Sequence, residues 1–130
     1  MDGSLPRVAL LTDDLLLRSR LEGLIAAAGA TVDAAGTPGA VADLLSGASP
    51  PQAVVLDLSA GNLRPLPTIS QLRERYPEVP IVAFGPHTDR EAMAEAARHG
   101  CASVLPRSRA VRELTNEVRR VLAKDVQPRL

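Results

Sequence analysis

The chain has 130 residues, enough for one domain and too few for two. Hydrophobic residues make up 45% and aromatic ones only 2%, so the core must be aliphatic, and the stacking platforms that hold single-stranded nucleic acid are excluded. Formal charge sums to zero from 15 basic and 15 acidic residues, yet segment 106–130 carries seven basic against three acidic residues and leaves the rest acidic, an asymmetry that steers a partner but is too mild to mark nucleic acid.

Residues 1–6 read as an N-terminal tail without a secretory-signal pattern. The apolar run Arg7–Leu11 predicts strand one, closed by the acidic pair Asp13-Asp14. Helix one is expected over 15–28, because Leu17, Leu21, Leu24, Ile25 and Ala28 recur at helical spacing and Gly29 stops it. Strand two covers 31–34. Thr37-Pro38 supplies an N-cap and a first-turn proline for helix two, which runs to about 46. After a loop at 47–51, strand three covers 53–58 and carries Asp57 at the end of its apolar run. A turn-rich loop at 59–62 leads to helix three, from 66 or 67 to 76–77. Strand four covers 80–84 and is broken by Gly85-Pro86-His87. Thr88-x-x-Glu91 has the form of a capping box and opens helix four, which ends at Gly100.

Strand five covers 102–105, beside the lone Cys101. One cysteine excludes an internal disulfide, and no neighbouring group activates it, so it reads as a buried, inert thiol. Helix five follows Ser108 as N-cap, with Val111, Leu114, Val118, Val121 and Leu122 on its core face. The domain is expected over 7–123, with 124–130 as a tail or the start of a linker. No apolar run approaches the roughly 18 residues of a membrane span. The expectation is a cytoplasmic protein without membrane contact.

Strand–helix alternation with short loops predicts a parallel sheet covered by helices on both faces. Right-handed crossovers favour the doubly wound order 2-1-3-4-5, a flavodoxin-like three-layer α/β/α fold. Strands one and three are then neighbours, which brings Asp13 and Asp57 to the C-terminal sheet edge, where sites form in such folds. Three carboxylates in one cleft, Asp13, Asp14 and Asp57, repel one another, and a Mg²⁺ ion relieves the repulsion by accepting oxygen ligands. One of them can then attack a phosphoryl group while the metal neutralises charge. Blander readings stand beside these: Asp14 as the N-cap of helix one, and Asp57 as a strand-end residue capping a loop.

The ordered set Asp13-Asp14, Val54-Val55-Leu56-Asp57, Tyr76-Pro77-x-x-Pro80-Ile81-Val82, His99-Gly100-Cys101-Ala102 and Val104-Leu105-Pro106-Arg107 resembles the receiver domain of two-component response regulators over roughly 7–122. The resemblance implies that Asp57 accepts phosphate from a histidine kinase and that the acids after strand one bind Mg²⁺. Counted back from Arg18, Thr12 replaces the first acid, Asp13 becomes the direct metal ligand, and Asp14 is a displaced second acid. Other positions depart from the family. Gly85, followed by Pro86, stands where the family has a Ser or Thr hydroxyl for the phosphoryl group. Arg107-Ser108 stands where it has Lys, usually followed by Pro, and arginine is a longer planar fork. Val104 stands where it has a switch aromatic. These are the marks of an atypical or pseudo-receiver, in which Arg107 is expected to pair directly with Asp57 or Asp13.

Three functions follow. The first is a receiver-like signalling domain in a phosphorelay, with Asp57 as phosphoacceptor and output through protein–protein contact. The second is a phosphorylation-independent pseudo-receiver used for docking or dimerisation. The third, a small enzyme hydrolysing phosphate esters at Asp13 and Asp57, is disfavoured by Gly85 and by the lack of a further general base, so no enzyme is expected. The resemblance places the partner surface, and a homodimer contact, on helix four, strand five and helix five. Arg109, Arg112, Arg119 and Arg120 then contact a partner, or else form a solvated face. His87 and His99 have no partners at metal-ligand spacing and read as surface residues. No dinucleotide fingerprint, Walker loop or hydrolase elbow occurs.

Overall fold

Ten elements alternate along the chain in the computed structural model, which describes residues 5–59, 64–86 and 88–126. They are β1 Arg7–Leu11, α1 Leu15–Ala26, β2 Thr31–Ala35, α2 Pro38–Leu45, β3 Ala53–Asp57, α3 Pro65–Arg75, β4 Ile81–Gly85, α4 Arg90–Arg98, β5 Ser103–Pro106 and α5 Arg107–Val126. The strands form one parallel sheet in the order β2-β1-β3-β4-β5, the doubly wound order expected from the sequence.

Period-two alternation sorts the strand residues into two aliphatic layers. Ala9, Leu11, Val54, Leu56, Leu58, Ile81 and Ala83 pack with Val41 and Leu45 of α2, Ile69 and Leu72 of α3, and Ala96 of α4. Val8, Leu10, Val55, Val82, Phe84 and Leu105 pack with Leu21 and Ile25 of α1 and with Ala110, Leu114, Val118 and Val121 of α5. Each fully buried Leu, Ile or Val contributes about 1.5–3 kcal/mol of hydrophobic free energy. The central strands β1, β3 and β4 are therefore covered on both faces, as near-continuous apolar runs require.

Local chemistry fixes the element ends. Asp14 and Thr37 cap α1 and α2 by accepting from Leu17 N at 3.0 Å and Ala40 N at 3.1 Å. Gly29 takes φ 88° after α1, and Gly100 takes φ 104° after α4, conformations that glycine adopts without strain. Helix α1 ends two residues early, at Ala26, because Ala28 N and Gly29 N turn back to Ile25 O and Ala26 O, both at 2.9 Å.

Several boundaries differ from expectation. Gly85 does not break β4; it ends the strand in register with Pro106 of the edge strand β5, where a proline costs no interior ladder bond. The cap of α4 is Asp89, not Thr88: its side chain accepts from Ala92 N at 3.1 Å. Helix α5 begins directly at Arg107, with no loop after β5, and continues to Val126. His87 and most of the predicted loop at 59–62 lie outside the described residues. Among the described residues no helix is long and apolar enough to cross a membrane.

Two bonds stitch α5 to α1: Thr115 Oγ1 donates to Leu24 O at 2.7 Å, and Arg119 Nη2 to Ala27 O at 3.1 Å. Cys101 is free and half-buried, and burial pushes its thiol up to about 12 while Arg73 opposes the rise. A thiol reagent at pH 8 should therefore modify the native protein about a hundredfold or more slowly than the unfolded chain. Equal rates in native buffer and in denaturant would contradict this burial.

Candidate functional site

Asp57 closes β3, and alternation turns its side chain toward the α1–α5 layer, with Val55 before it. It is 1% exposed, so its carboxylate must find its hydrogen bonds within the protein. Thr12, the residue after β1 and itself 3% exposed, donates its hydroxyl to Asp57 Oδ2 at 2.9 Å. The chain then turns at Ser59, whose backbone N–H and hydroxyl both donate to Asp57 Oδ1, at 2.9 and 2.6 Å. The first of these is an Asx turn, the local closure that an aspartate two residues ahead supplies. Three donors thus meet one acceptor-only carboxylate.

Arg107 enters from the first position of α5. Its Nη2 donates to Ser59 Oγ at 2.6 Å and lies 3.9 Å from Asp57 Oδ1. The shorter contact decides the geometry. The guanidinium holds Ser59 by a hydrogen bond and Asp57 only by charge, through the hydroxyl between them. The expected pair with Asp57 is thus an ion pair at 3.9 Å, with the Ser59 hydroxyl bridging the two groups. Arg107 Nε is buried without a hydrogen-bond partner, while the side chain as a whole is 42% exposed.

The acids after β1 do not join this cluster. Asp14 gives its carboxylate to the α1 cap, and its own N–H goes to Thr12 Oγ1 at 3.2 Å. Asp13 is exposed. Among the described residues no group of three His, Cys, Asp or Glu side chains is placed to hold a metal ion. Both Asp57 oxygens accept hydrogen bonds, Thr12 is a neutral donor, and Asp14 is spent on a helix end, so fewer carboxylates face this cleft than the sequence suggested. Asp57 and Asp13 are the carboxylates at this edge that would hold a Mg²⁺ ion, with water completing its shell.

On the other side of the sheet edge, Gly85 and Val104 bring no polar group, and Val104 pairs with Ala83 across β4 and β5. The arginines of α5 are mostly spent within the chain. Arg109 pairs with Glu113 at 2.8 Å and holds its carboxyl below the ordinary glutamate range. Arg120 does the same to Glu117, with a bond from Ser103 as second cause. Arg119 holds the C-terminal end of α1. Arg112 is exposed, with no hydrogen bond or ion pair among the described residues. His99 is exposed and meets Ser70 Oγ at 3.0 Å through Nδ1.

The sequence pattern named Thr12, Asp57 and Arg107 but missed Ser59. The signal available for it was Asp-x-Ser spacing directly after a strand, which marks a side-chain-closed turn.

The family model described as the response regulator receiver domain matches residues 8–119. Solved structures agree in fold. A response regulator receiver domain protein from Clostridium thermocellum is 13% identical, with a TM-score of 0.81, covering 93% of this chain and 97% of that one. Full-length FixJ from B. japonicum is 22% identical, with a TM-score of 0.80, over 95% of this chain and 61% of FixJ. The BeF3-activated receiver domain of DrrB is 18% identical, with a TM-score of 0.77, over 92% and 98%. No curated protein matches the chain.

Removing one donor from the buried carboxylate has a calculable cost. Thr12→Val should lower the unfolding free energy by about 1–3 kcal/mol in urea titration, because Asp57 Oδ2 loses its partner. Thr12→Ser, which keeps the hydroxyl, should recover most of that loss. A Thr12→Val protein as stable as wild type would show that this bond holds nothing.

Proposed function

The chain belongs to the response regulator receiver domain family, and from that membership we propose that it is a phosphorylation-independent signalling module, acting through protein–protein contact with Asp57 held by its own neighbours. Receiver domains are signalling modules that engage kinases and output domains, generally are not enzymes, and generally bind Mg²⁺ at the phosphorylation site. The observation that carries the proposal is the engagement of both Asp57 oxygens: Thr12 on one, Ser59 twice on the other, and Arg107 fastened to Ser59. Thr12, Ser59 and Arg107 thus already engage the carboxylate that a metal or a phosphoryl group would have to reach. Gly85, Val104 and Arg107 at the family's hydroxyl, aromatic and lysine positions support the same reading.

In this proposal residues 7–123 form the module, and the α4–β5–α5 face carries the contact or a homodimer interface. Arg112 is its leading charged residue, since Arg109, Arg119 and Arg120 are engaged within the chain.

A second reading keeps Asp57 as phosphoacceptor in a phosphorelay with a histidine kinase, with Asp13 as its metal ligand. One observation favours it: Asp57 ends β3 at the sheet edge with a cation 3.9 Å away. Intact-mass analysis after incubation with a small acyl phosphate and Mg²⁺, with Asp57→Ala as control, separates the two. The proposal expects no phosphoryl adduct on either protein. An adduct on wild type alone would replace it with the second reading.

A further inference from the structure

The outer face of α1 carries hydrocarbon where a solvated helix carries charge. Leu16 is 87% exposed and Leu15 beside it 69%, the two highest exposures of any large apolar side chain among the described residues. Leu16, Arg20, Gly23 and Ala27 recur at helical spacing along one stripe, and all four are exposed. The stripe lies across the helix from Leu21 and Ile25, which are buried against the sheet. A β-carbon placed on Gly23 would meet nothing within 4 Å. The stripe therefore pairs a knob, Leu16, with a notch at Gly23 two turns further on. Contiguous exposed hydrocarbon of this kind marks a contact surface.

The two ends of α1 carry charge of opposite sign. Asp13 is exposed directly before the helix. Arg119 of α5 reaches the far end, where Nη2 donates to Ala27 O at 3.1 Å and Nη1 to Asn116 Oδ1 at 3.2 Å. A guanidinium has five N–H donors, so these two bonds leave others for a partner.

We propose that the outer face of α1 is the surface on which a second copy of this chain pairs, antiparallel and related by a two-fold axis. Turning a second α1 end for end sets Leu16 of each copy against Ala27 and the Gly23 notch of the other, the reciprocal contact that an isologous interface requires. With Leu16 opposite Ala27, Arg20 falls opposite Gly23, so the two Arg20 guanidinium groups are not forced together. The same reversal brings the acidic Asp13 end of one copy to the basic Arg119 end of the other, twice in each pair. A parallel pairing would set acid against acid and base against base. Charge complementarity thus selects a second copy in this one orientation. The pairing covers α1 rather than α4 or β5, and it does not depend on whether Asp57 takes phosphate.

Sedimentation equilibrium on the full chain, without metal or phosphodonor, tests this. Wild type should approach twice its chain mass as concentration rises. Leu16→Glu should stay monomeric up to about 1 mM, with Tm unchanged because the side chain already lies in solvent. Gly23→Gln should also abolish pairing while holding or raising Tm, since it fills the notch and removes a glycine from a helix interior. Asp13→Arg and Arg119→Glu should each weaken pairing about tenfold or more, and the double variant should restore it. Arg90→Glu, on α4, should leave pairing as it is. A wild type that stays monomeric up to the same concentration would overturn the proposal and leave the leucines to a different occupant. So would a dimer that survives Leu16→Glu and Gly23→Gln, or one that Arg90→Glu breaks and Leu16→Glu does not.

Discussion

A carboxylate buried to 1% exposure must be satisfied by the chain that buries it, and the architecture of the C-terminal sheet edge follows from that demand. The sheet order brings the ends of β1 and β3 together, so Thr12 and Asp57 can meet. The turn after β3 folds Ser59 back onto the same group, and the junction of β5 with α5 presents Arg107 to Ser59. Each contact lies on a different connection of the fold. Side chains from three separated parts of the chain are thus made interdependent by one aspartate.

The layered core was legible because the physics behind it is periodic. Alternation along β1, β3 and β4 and the i, i+3, i+4 spacing of α1 and α5 determine which face each residue buries. Strand order followed from crossover handedness. Boundaries were less legible where a single side-chain bond decides them. Asp89 took the cap that Thr88-x-x-Glu91 advertised, and Gly85 stayed in its strand because Pro106 sits opposite on an edge.

At the site, residue identity was readable and partnership was not. Asp13, Asp14 and Asp57 share an edge by topology, yet Asp14 is drawn to the α1 N–H groups and Asp13 to solvent. A helix N-terminus competes for a carboxylate with any cleft beside it, and sequence spacing does not weigh that competition. Ser59 carried no chemical flag until the turn placed it between a carboxylate and a guanidinium. The basic face of α5 shows the same limit. Counting arginines predicts a charged surface, whereas their bonds to Glu113, Glu117 and Ala27 O leave Arg112 as the member with no hydrogen bond among the described residues, acting on Glu113 by charge alone.

The stitching of α5 to α1 closes a mechanical loop. Asp57 holds Thr12, which accepts from the N–H of Asp14, the cap of α1. Leu24 and Ala27, at the other end of α1, accept from Thr115 and Arg119 of α5, and α5 leads back to Arg107, Ser59 and Asp57. Helix α5 has 20 residues, about 30 Å of rod at 1.5 Å per residue, and its first residue is the guanidinium anchor itself, with no slack between strand and helix. The buried aspartate and the outer helix are therefore two points on one closed circuit of hydrogen bonds.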